Sequence, residues 1–183
     1  MSRTMRVLAT TLALLVGLSL GGPVGIADDH EVPPTKLKIG GKKRPGRIQA
    51  AAMVEPTETD GIPTCTPNDT VFGGQWPKPL KLEAKRYRAK AVLSTSRLPE
   101  TLEVERRVSE LPPPPGSGIE GKEVPHTLAP IKAGGATVSY LVKFRVRVPR
   151  KNLYLQLAAK WPDEDHCDGD FAVYGWVLRA KGT

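Results

Sequence analysis

The longest regular alternation in the chain runs from Thr137 to Val148. Val138, Tyr140, Val142, Phe144, Val146 and Val148 take every second position. Thr137, Ser139, Lys143, Arg145 and Arg147 lie between them, with Leu141 the one exception. Successive side chains of a strand point to opposite faces, so this period predicts a half-buried β-strand with a cationic outer face. Pro149-Arg150-Lys151-Asn152 reads as a turn. Leu153, Leu155, Leu157, Ala159 and Trp161 then resume the alternation, and the two segments are expected to pair as a hairpin. Phe171 to Lys181 reads as a last strand with two apolar faces: Phe171, Val173 and Val177 on one, Ala172, Tyr174, Trp176 and Leu178 on the other. An outward apolar face has to be covered by another segment, a ligand or a partner.

The earlier part of the chain carries shorter patterns. Ile48 to Val54 is an apolar run the length of a strand. Leu80, Leu82 and Ala84 share one parity, and Tyr87, Ala89, Ala91 and Leu93 the other, so a bulge or break is expected near Lys85–Arg86. Leu102, Val104 and Val108 indicate another strand. Residues 55–79 are interrupted by prolines and glycines and read as loop, as do residues 119–135. Pro112 to Pro115, followed by Gly116-Ser117-Gly118, reads as a stiff connector with a flexible end.

These patterns amount to six or seven strands and no helix. The connections are too short for crossover helices, so the strands should pair antiparallel in an all-β fold. A two-layer β-sandwich follows, with which an Ig-like architecture is compatible; a small closed β-barrel is the alternative.

The length, 183 residues, suits a single domain. The first 27 residues have the layout of a signal peptide: Arg3 and Arg6, an uncharged apolar stretch from Val7 to Leu20, then Gly21-Gly22-Pro23 and a small-residue Gly25-Ile26-Ala27 site. Cleavage is expected after Ala27, leaving a chain without a transmembrane span, secreted or held in the cell envelope. Residues 28–47 read as a flexible basic arm, because the stretch from Lys36 to Arg47 holds Lys36, Lys38, Lys42, Lys43, Arg44 and Arg47 and no acid, and is broken up by glycines and Pro45. Residues 48–183 then form the single β-sandwich domain.

The formal net charge is +8. Lys143, Arg145 and Arg147 share one strand face about 7 Å apart, and Arg150 and Lys151 extend the stripe into the turn. Such a stripe attracts an anionic polymer or another anionic envelope component. With only ten aromatic residues, Trp 3, Tyr 4 and Phe 3, base-stacking platforms are sparse. Export also gives the two cysteines a meaning: Cys65 and Cys167 both lie in turn-like segments, and a disulfide between them is expected.

Two weaker constellations point elsewhere. Asp163, Asp165, Asp168 and Asp170 form a carboxylate-rich loop that could hold Ca²⁺, although it fails the EF-hand template because Cys167 and Tyr174 occupy required ligand positions. Tyr174 and Trp176 could form an aromatic ligand platform. Together they support an alternative reading as a Ca²⁺-dependent or carbohydrate-recognising domain. A small secreted hydrolase ranks third, since no nucleophile–base pair can be placed and adjacent His166 and Cys167 point opposite ways on extended chain. The leading expectation is an exported, non-enzymatic binding or adhesion module with no cofactor, whose basic face meets an anionic partner; any protein partner is unspecified.

Overall fold

The computed structural model describes residues 31–59, 61–114, 119–162 and 170–182, and among these every regular element is a β-strand. The expected signal peptide, residues 1–27, lies outside the described residues. One sheet contains β1 (Thr35–Ile39), β2 (Lys42–Pro45), β6 (Arg86–Leu93), β9 (His126–Ala133) and β10 (Ala136–Arg147), in the order β2-β1-β6-β10-β9. The other contains β3 (Arg47–Thr59), β4 (Ile62–Phe72), β7 (Thr101–Ser109), β8 (Lys122–Glu123), β11 (Asn152–Lys160) and β12 (Phe171–Ala180), in the order β4-β3-β12-β11-β7-β8. The short β5 (Leu80–Leu82) runs parallel to the end of β12, and every other pairing is antiparallel. The sheets are open, so the fold is an antiparallel sandwich and not a barrel.

The core is built as the alternation requires. Leu37, Ile39, Ala89, Ala91, Leu93, Val142, Phe144, Val146 and Val148 enter it from the five-stranded sheet. Met53, Val104, Leu153, Leu155, Leu157, Trp161 and Leu178 meet them from the other. A parity break falls where the pattern predicts it: β5 ends at Leu82, β6 begins at Arg86, and Lys85 N donates to Glu83 O in the kink between. No helix among the described residues is long and apolar enough to cross a membrane.

Four expectations are corrected. The segment read as a flexible arm is, from Thr35 onward, the β1–β2 hairpin. Thr35, Leu37 and Ile39 are buried while Lys36 and Lys38 face out, and Gly40 and Gly41 take positive φ of 55° and 76° in the two-residue turn. Glycine meets that backbone without steric penalty, so the pair makes the turn and does not dissolve the structure around it. Residues 55–79 are not loop throughout, because β3 continues to Thr59 and β4 returns from Ile62 to Phe72. Residues 119–135 hold β8 and β9, and β9 pairs with β10 through the Gly134-Gly135 turn.

The fourth correction concerns β10 and β11, which are not a hairpin. They belong to opposite sheets, and the 149–151 connection crosses the end of the sandwich. Val148 N donates to Lys85 O on one side, and Pro149 O accepts from Ala180 N on the other, at 3.0 and 2.8 Å. Two strands that face each other across a core carry the same alternation as two that lie side by side, so periodicity alone does not separate these arrangements.

Candidate anion-binding face

The cationic positions of β10 gain their significance from β6. The antiparallel register sets Lys143 opposite Lys90, Arg145 opposite Arg88 and Arg147 opposite Arg86. Directly opposed residues have Cβ atoms about 5 Å apart, and successive rungs are separated by about 7 Å. Six cations therefore stand in two columns on one sheet face, and all six are exposed. The uppermost rung continues sideways: Lys90 is opposite Lys38 of β1, which is opposite Lys43 of β2. Lys43, Lys38, Lys90 and Lys143 thus form one transverse line over four adjacent strands. The five strands of this sheet contain no aspartate or glutamate. No ion pair among the described residues engages these cations.

Local sequence explains why the side chains point outward. Tyr87, Ala89 and Ala91 alternate with Arg86, Arg88 and Lys90, and burial of the apolar set drives the cations to the other face. Like charges placed directly opposite each other oppose folding. The sheet tolerates the arrangement because its core face carries Val142, Phe144, Val146 and the alanines of β6.

The face is not flat. A concavity of about 740 Å³ is lined by Arg88, Lys90, Lys143 and Arg145, with Pro125, His126 and Thr127 as a side wall. An adjoining one of about 530 Å³ shares Arg88, Pro125 and Arg145 and extends to Arg86 and Arg147. Glu123, exposed on β8, stands on its rim. It lies opposite Glu105, whose carboxyl pKa is raised, first by burial and then by the charges of Glu103 and Glu123.

Of the expected stripe, Lys143, Arg145 and Arg147 are brought together. Arg150 and Lys151 leave it, because the chain crosses to the other sheet at Pro149. Lys151 lies 3.4 Å from Glu110, and Arg150 O accepts from Arg179 Nε. The sequence pattern alone misses Arg86, Arg88 and Lys90 as members of the site, although their alternation with more buried residues was the available signal, and it misses Lys38 and Lys43 as neighbours on the same face.

Tyr174 and Trp176 form no platform, which corrects that expectation. Both are core residues, 1% and 2% exposed. Tyr174 Oη donates to Pro33 O at 2.6 Å, and burial raises the phenol pKa. Trp176 Nε1 donates to Arg44 O at 3.4 Å. The opposite face of β12 is covered too, since Val177 packs with Tyr154, Ile119 and Trp76. Ile119 is held there by its amide, which donates to Gln156 Oε1.

Asp170 is engaged by protein groups. It is buried, pairs with Arg97 at 2.5 Å and accepts from Val54 N at 2.7 Å. Asp163, Asp165 and Asp168 lie outside the described residues. Cys65 sits on β4 opposite Pro56, exposed in a strand and not in a loop, and it is not a free thiol. Cys167 lies outside the described residues. No protein-family model, curated protein or solved structure matches this chain.

Proposed function

We propose that this chain is an exported, non-enzymatic binding module that holds an anionic partner on the outer face of its five-stranded sheet. The observation that carries the reading is the set of three directly opposed cation pairs, Arg86–Arg147, Arg88–Arg145 and Lys90–Lys143, on a sheet without acids. Concentrating like charge this way costs stability, and neutral side chains would fill the same solvent-facing positions without that cost. A bound anion offsets the repulsion.

Export rests on the layout of residues 1–27. The same setting supports a Cys65–Cys167 bridge. Asp170 is anchored to Val54, and Val54 is two residues from the Pro56 that faces Cys65, so the chain leading from Cys167 ends beside the segment that carries Cys65.

The test is retention on immobilised dextran sulfate across a salt gradient. Binding should weaken linearly in log–log form as salt rises, because counterions are released on association. Replacing Arg145 and Arg147 with Gln should flatten that slope by about two units. Binding insensitive to salt, or to this double substitution, would overturn the reading.

A further inference from the structure

The two concavities on the basic face adjoin and share Arg88, Pro125 and Arg145. They form one trough that follows β6 and β10 from the Lys90–Lys143 rung to the Arg86–Arg147 rung. Its floor is cationic, and the Pro125–His126–Thr127 segment stands along one side. We infer that the anionic partner is a linear phosphate-bearing polymer lying in this trough parallel to the strands, and not an anionic lipid surface. This rests on the binding reading above and names the partner class.

Three features favour a linear chain. The rungs repeat about every 7 Å in one direction, so a chain lying along them meets a new cation pair at each step. A flat bilayer surface has no axis that matches the line of rungs, whereas the two concavities adjoin along it. The outward apolar side chains next to the Lys90–Lys143 rung, Val92, Leu141 and Ala129, include no aromatic ring and are each only partly exposed, a poor anchor for a bilayer interface. Phosphate fits the central rungs because paired guanidinium groups present planar forks of donors, which match tetrahedral oxyanions bidentately.

The experiment compares long-chain inorganic polyphosphate, orthophosphate and phosphatidylglycerol vesicles on the exported chain, measured by calorimetry and vesicle co-sedimentation. Polyphosphate should bind far more tightly than orthophosphate, since a single phosphate meets one rung, and more tightly than vesicles. Two charge-matched double variants then locate the chain. Arg88→Gln with Arg145→Gln removes the middle of the trough and should weaken polyphosphate binding by about tenfold or more. Lys38→Gln with Lys43→Gln removes the same charge from the same face outside the trough, and should weaken it by less than about threefold. Thermal melting of both variants checks that they fold. Equal losses in the two variants would overturn the trough while leaving the basic face as the binding surface. Vesicle binding tighter than polyphosphate binding would overturn the linear polymer in favour of a membrane. Absence of binding to polyphosphate, vesicles and dextran sulfate alike would overturn both readings.

Discussion

At the scale of single residues, the Arg88–Arg145 rung sets stability and binding against each other. Like charges directly opposed on a sheet cost on the order of 0.5 kcal/mol. Replacing both with Gln is therefore expected to raise the melting temperature by about 1–2 °C, as scanning calorimetry would show, while binding falls. A variant that loses both stability and binding would mean that these side chains support the fold. Glu123 works in the other direction, since its carboxylate stands on the rim of the trough. Glu123→Gln should tighten polyphosphate binding at low salt and lose that advantage at high salt, where the repulsion it removes is screened. The same substitution relieves Glu105, whose pKa is raised by burial and by its acidic neighbours. The folded state holds that proton more tightly than the unfolded chain does, so the group favours folding most below the usual glutamate range. That contribution is lost as pH rises from the usual value to the raised one. Glu105→Gln should thus raise stability at neutral pH and flatten the denaturation profile across that window. Inward and outward positions were largely legible at this scale: Lys143, Arg145 and Arg147 face solvent, and Val142, Phe144 and Val146 the core. Tyr174 and Trp176 were not, because β12 is apolar on both faces and its pattern does not say which neighbour covers each.

At the scale of elements, pairing partners are what periodicity leaves open. Gly40-Gly41 and Gly134-Gly135 are recognisable hairpin dipeptides between alternating segments, and they mark two of the edges of the basic sheet. Their abundance of neighbouring cations and prolines masks that signal, since the same residues also compose solvated tails. The β6–β10 pairing that builds the candidate site joins strands with β7, β8 and β9 between them in the chain, and nothing in either strand names the other. The β1–β2 hairpin does more than line the face. Pro33 O just ahead of β1 and Arg44 O within β2 accept from Tyr174 and Trp176, fastening the hairpin across the core. Tyr174→Phe, which leaves a buried carbonyl without its donor, should cost about 1–2 kcal/mol in chemical denaturation. A loss near zero would mean that water replaces the hydroxyl. The Cys65–Cys167 bridge is expected in non-reducing peptide maps of exported protein. By loop-closure entropy it is worth up to about 4.7 kcal/mol, and quantitative labelling of two free thiols would rule it out.

At the scale of the molecule, the seven-stranded sheet turns on a single strand. β12 lies between β3 on one side and β11 on the other, and takes β5 along its far end. Every one of these partners precedes it in the chain. Without β12, the β3–β4 pair and the β11–β7–β8 set have no hydrogen-bonded strand between them. A chain cut before Phe171 is therefore expected to be digested quickly by a protease under conditions in which the full chain resists.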